Sequence, residues 1–120
     1  LFLRFDFLLD YAINILRKKE NMKNTINSDY FRNWFLNSQY KNNFSVLGLS
    51  SLYDYLTDLE DDQGTEFNFD PVAFACAYSE YENLQEIIEN YNSIDNIQDL
   101  ENNTSIIPVV GTDRLIIQNF

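Results

Sequence analysis

The sequence predicts an α+β domain, with three to four helices packed on a small, three-stranded, mainly antiparallel sheet that ends in a C-terminal β-hairpin. Three observations carry that expectation. Apolar residues recur at helical spacing through the first half, residues 66–78 alternate in the manner of a strand, and two short apolar runs, SIIPVV and RLIIQNF, flank Gly111, Thr112 and Asp113. With 120 residues, 45% of them hydrophobic and 16% aromatic, the chain can fill one core and not two.

Taken in order, residues 1–20 read LFLRFDFLLDYAINILRKKE, with Leu1, Phe5, Leu8, Leu9, Ala12, Ile13 and Leu16 at helical spacing. Asp6 and Asp10 interrupt the apolar run and the basic Arg17, Lys18 and Lys19 follow it, which is neither a secretory signal nor a membrane span. Met22 is a plausible translation start, so residues 1–21 are expected to be a dispensable amphipathic extension and residues 22–120 a single acidic domain. Ser28 is the expected cap of a helix to about residue 40, with Tyr30, Phe31, Trp34 and Phe35 on one side. A second helix is expected from Val46 or Ser51 to Asp62, burying Leu49, Leu52, Tyr53, Leu56 and Leu59, and stopped by Gly64.

In the alternating run Val72, Phe74, Cys76 and Tyr78 share one face and Ala73, Ala75 and Ala77 the other, which predicts a strand with Cys76 as a buried, inert thiol. Ser79 followed by Glu82 reads as a capping box opening a third helix with Leu84, Ile87, Ile88 and Tyr91 inward. Ser93 is a candidate cap for one more short turn through Ile94, Ile97 and Leu100. Pro108 cannot donate to a ladder, so its strand belongs at an edge and the final strand beside the first. The abundance of Asn is assigned to no chemistry.

Charge narrows function. Nineteen Asp and Glu stand against eight Lys and Arg, a formal charge of −11, and there is no His and one Cys. Such a field repels phosphate, so DNA or RNA is not expected as a direct ligand. Without His or a second Cys, the usual zinc, disulfide and proton-shuttle chemistries lose their parts.

The asymmetry is local: no basic residue lies between Lys41 and Arg114, where fifteen acids fall. On the second helix Asp54, Asp58 and Asp61 stand at i, i+4 and i+7, and on the third Glu82, Glu86 and Glu89 repeat that spacing. Such neighbours stand roughly 5 to 6 Å apart at Cβ, comparable with successive phosphates of a nucleic-acid strand. Asp58, Glu60, Asp61 and Asp62 also crowd a helix C-terminus, where the dipole disfavours each anion by about 0.3 to 1 kcal/mol. An avoidable cost of this kind points to a strongly basic partner, met by an acidic contact surface of Asp54, Asp58, Glu60, Asp61, Asp62, Glu66, Glu82, Glu86 and Glu89. Tyr55 and Tyr81 are candidate aromatic anchors beside it. Glu80 and Glu82 are discounted in the tally of cost, since acids at a helix start are favourable and one belongs to the cap.

Rival uses of the acids are weaker. DLEDDQGTEF has Asp58, Glu60 and Asp62 in alternate positions, but an EF-hand register places Gln63 where Gly is required and Phe69 where Glu is required. Asp70 with Glu80 or Glu82 is one conceivable pair for glycoside hydrolysis, selected by no spacing. No metal, cofactor or catalytic residue is expected.

The stretch FNFDPVAFACAYSEYENLQEIIENY, followed by SIIPVVGTDRLIIQNF, resembles small acidic proteins encoded by phages and mobile elements, over roughly residues 28–120. That group includes anti-CRISPR and antirestriction inhibitors, several of them DNA mimics. The resemblance implies a non-enzymatic host-defence inhibitor in the bacterial cytoplasm, blocking target-DNA binding by a CRISPR effector. It transfers no catalytic residue. The alternatives are an antirestriction protein, or a regulatory, antitoxin-like module binding through Trp34, Phe31 and Tyr81. Oligomeric state is left open, with a homodimer among the options.

Overall fold

The computed structural model describes residues 26–64 and 69–120, so the expected extension 1–21 and Glu66 lie outside the described residues. Over that range the fold is α+β, with five helices and a three-stranded antiparallel sheet in the order β1-β3-β2.

The first helix, α1 (Ser28–Leu36), is capped by Asn27, whose side-chain oxygen accepts the Tyr30 N–H at 2.8 Å, one residue before the expected Ser28. It ends at Asn37 rather than near residue 40, and Phe31 and Phe35 are its buried residues. The second, α2 (Val46–Gln63), starts at the earlier of the two expected positions because the Ser45 hydroxyl accepts the Gly48 N–H at 2.9 Å. Gly64, at φ 67 and ψ 20, closes it in the left-handed conformation that a residue without Cβ adopts at least cost. Its buried stripe runs Leu49, Leu52, Leu56 and then Glu60, not Leu59. Position 60 is four residues beyond Leu56 and continues the stripe, while Leu59 is left half-buried.

The expected strand over 66–78 is corrected. Residues 71–77 form a helix, α3 (Pro71–Ala77), and the first strand, β1 (Tyr78–Tyr81), begins only at Tyr78. The local reason is a strong helix start: the Asp70 side chain accepts the Ala73 N–H at 3.2 Å, and Pro71 at the first position comes with a suitable φ. Alternation misled here because small Ala residues fit either period. Cys76 consequently sits on the exposed side of α3 rather than in the core.

Ser79 is a strand residue, donating to Asn119 Oδ1 at 2.7 Å. The capping box stands four residues later and opens α4 (Leu84–Asn90): Asn83 accepts the Glu86 N–H at 2.9 Å and the Glu86 carboxylate accepts the Glu82 N–H at 2.6 Å. The same reciprocal pattern opens α5 (Ile97–Asn103), with Asn96 accepting from the Asp99 N–H and Asp99 from the Asp95 N–H, in place of the expected Ser93 cap. Three asparagines, Asn27, Asn83 and Asn96, thus cap helix N-termini, a use the sequence reading did not assign them.

The hairpin forms as expected. Strand β2 (Ile106–Pro108) lies at the edge and β3 (Leu115–Gln118) in the centre, antiparallel to both neighbours. Register then sorts side chains onto two faces. Tyr78, Glu80, Ile107 and Ile116 share one, and Ser79, Tyr81, Ile106, Leu115 and Ile117 share the other. The first face packs with Phe31, Phe35, Leu49, Leu52, Leu56 and Phe74 from α1, α2 and α3. The second packs with Ile87 from α4, Ile94, and Leu100 from α5. The sheet is therefore the middle of three layers.

Replacing Asn83 by Ala is expected to cost about 1 kcal/mol in urea unfolding, whereas Ser79→Ala stays within about 0.5 kcal/mol. The reverse order would return the cap to Ser79.

Candidate partner-binding surface

On α2, Leu47, Asp54, Asp58 and Asp61 stand at i, i+7, i+11 and i+14, one stripe opposite the buried Leu49, Leu52 and Leu56. Leu47, Asp54, Asp58, Asp61 and Asp62 are exposed. Glu60, counted among the contact acids by sequence, is only 2% exposed and is corrected to a core-facing carboxylate. It is one of the charges, after burial and Asp54, that raise the Tyr53 phenol above its ordinary pKa. The last turn of α2 carries no basic residue. Among the described residues ion pairs join Arg32 to Asp29 and Arg114 to Glu80, and none reaches Asp54, Asp58 or Asp62.

The second acidic row does not adjoin the first. Because α2 and α4 cover opposite faces of the sheet, their outward sides point away from each other, and no continuous ridge joins Asp54, Asp58 and Asp61 to Glu82, Glu86 and Glu89. The α4 row is also partly used internally: Glu86 is half-buried and completes the cap, while Glu82 and Glu89 stay exposed. Glu80, Glu82 and Glu86 all lend negative field to Arg114, whose guanidinium is held in its charged form first by the hydrogen bond to Glu80.

Glu80 is the residue that sequence reasoning undervalued. Its side chain is 1% exposed, and its carboxylate accepts the Ser45 N–H at 2.9 Å, the Ser45 hydroxyl at 2.7 Å and the Arg114 guanidinium. A strand of the sheet is thereby tied to the cap of α2 and to the neighbouring β3. A Cβ on Gly48 would lie 1.9 Å from Glu80 Oε1, so the first turn of α2 needs glycine for the carboxylate to reach its partners. With its oxygens engaged, Glu80 presents no free acid to Asp70, which itself caps α3. Among the described residues, no three His, Cys, Asp or Glu side chains gather as a metal site. No described helix is long and apolar enough to cross a membrane.

The aromatic candidates are largely packed. Tyr55 is half-buried, edge-on to Tyr78 with ring centroids 6.3 Å apart. Tyr81 is half-buried in the second core cluster. Phe31 is fully buried and unable to meet a partner. Trp34 is half-buried, stacked on Tyr40 at 6.2 Å, and with Tyr30, Asn33, Asn37 and Ser38 it lines an open trough of about 510 Å³ along α1.

Compared with protein-family models, with curated proteins and with solved structures, the chain matches none.

Arg114→Ala leaves the Glu80 carboxylate buried without its cation, so a loss of about 3 kcal/mol is expected. Glu80→Gln in the same chain should recover part of it in a double-mutant cycle, and strict additivity of the two losses would contradict the pairing. A second expectation concerns alkali. Burial pushes the Tyr78 phenol well above its ordinary range, and burial followed by hydrogen bonding to Tyr91 raises Tyr81 to about 12. A raised folded-state pKa means that the contribution is complete below the unfolded value of 10.0 and is lost as pH climbs through the folded one. The melting temperature should therefore hold up to about pH 10 and fall steeply toward about pH 12; Tyr81→Phe should soften that fall.

Proposed function

We propose that this chain is a non-enzymatic binding protein that docks the acidic outer face of α2 onto a basic, nucleic-acid-holding surface of a partner protein. In the form the sequence resemblance implies, the partner is a CRISPR effector and the protein an anti-CRISPR-type inhibitor that keeps target DNA out. The observation that supports the reading is the α2 face itself: Asp54, Asp58 and Asp62 are exposed, on one side of an 18-residue helix, with no described cation on them. Effectors hold nucleic acid in positively charged channels, and carboxylates at phosphate-like spacing gain the same attraction, with association speeded by steering. Imitation of a polynucleotide is confined in this reading to the single α2 row, since the α4 acids point away from it.

A second reading, a regulatory module with an aromatic interface, is favoured by the trough at Tyr30 and Trp34. Charge reversal separates the two. Asp54→Lys with Asp58→Lys should abolish displacement of target DNA from a guide-loaded effector, and leave an interface at Trp34 mostly intact. Inhibition by the unaltered protein should be competitive with DNA and weaken steeply with salt. If it displaces no DNA, or as much at high salt as at low, the electrostatic reading is wrong.

A further inference from the structure

The α2 stripe does not begin with an acid. Its first member, Leu47, is 53% exposed, its neighbour Val46 is 53% exposed, and Val110 at the tip of the β2-β3 hairpin is 79% exposed. The hairpin meets the helix close by: the Val110 N–H reaches the Ser51 hydroxyl at 3.4 Å, one helical turn from Leu47. The outer face of α2 therefore has two chemically distinct halves. An apolar knob stands at its N-terminal end, and Asp54 and Asp58 follow about 10 and 16 Å farther along the axis.

We propose that this two-part face is one docking surface, and that its occupant is an amphipathic basic segment of a partner protein. Apolar side chains of that segment would seat on Leu47 and Val110 while its Lys or Arg residues lie along Asp54 and Asp58. The inference rests on the proposed function above and deepens it by naming the partner's chemistry. Charge complementarity selects this occupant: a nucleic acid or an anionic lipid surface would bring its phosphates against Asp54 and Asp58. Apolar contact and charge have separate tasks here. Buried apolar anchors hold a complex, and the exposed carboxylates steer and orient it.

Two defined probes separate the halves: a short polylysine, which offers charge alone, and a helical Leu–Lys peptide of the same length and charge. Both are titrated into the full chain and into three variants, Leu47→Gln with Val110→Asn, Asp54→Asn with Asp58→Asn, and Glu89→Gln with Glu101→Gln. All six positions are exposed, so the variants should remain folded; melting curves check this. The unaltered chain is expected to bind the Leu–Lys peptide at least about tenfold more tightly than polylysine. L47Q/V110N should remove that preference and leave polylysine binding unchanged, and D54N/D58N should weaken both probes more than the charge-matched E89Q/E101Q does. If L47Q/V110N keeps the preference, the apolar half is overturned while the acidic face stands. If D54N/D58N and E89Q/E101Q behave alike, the localised acidic face fails and the docking surface fails with it. Sedimentation of the unliganded protein completes the test. A dimer that L47Q/V110N dissociates would make a second copy the occupant and overturn the proposal.

Discussion

A buried carboxylate holds the layers of this fold in register. Glu80 stands on the face of β1 that bears α2, and its oxygens take the backbone and hydroxyl of Ser45 and the guanidinium of Arg114. One side chain thereby satisfies an orphan N–H at the start of α2, fixes where that helix begins and pulls it against the sheet. Gly48 is the sequence's concession to it, as the carboxylate occupies the space of a Cβ. Burying a charge is unfavourable unless it is paired and hydrogen-bonded. Three donors from two other elements meet that condition, and they are found together only in the assembled layers.

From that anchoring follows the layout of charge. With α2 fixed on one face of the sheet by its N-terminus, its opposite side is committed to solvent, and Leu47, Asp54, Asp58 and Asp61 lie along it. The α4 acids, on the far layer, answer to different neighbours, Arg114 and the cap of their own helix. Acid content alone therefore exaggerates the interaction surface. On α2 the exposed acids run from Asp54 to Asp62, into the last turn where the macrodipole makes carboxylates least favourable.

Much of the fold was legible because its signals are local. Gly64 ends α2, the turn at Gly111 joins the hairpin, and Pro108 sends its strand to the edge, each for a reason contained within a few residues. Alternation failed over 71–77 because alanines satisfy either period, and there the Asp70-Pro71 start was the better guide. The caps shifted from Ser79 to Asn83 and from Ser93 to Asn96, since asparagine fills the same role and its abundance hid the signal. The candidate surface was less legible. Glu60 looked like one more acid in a row and is turned to the core by a stripe that advances four residues from Leu56. Glu80 could not be read as buried until β1 was located, because its partners lie 34 and 35 residues away. Leu47 was overlooked for lying off the leucine stripe, yet its position on the Asp54 and Asp58 line was there to count.

Amide chemical-shift mapping of the full chain, titrated with a basic Leu–Lys peptide at low and at raised salt, tests the central claim most directly. The account predicts shifts concentrated along Leu47, Ser50, Asp54, Asp58 and the Val110 tip, shrinking as salt increases, with α4 and α5 unmoved. Shifts centred on Glu82 and Glu89, on the trough beside Trp34, or spread evenly over the acidic surface would contradict it.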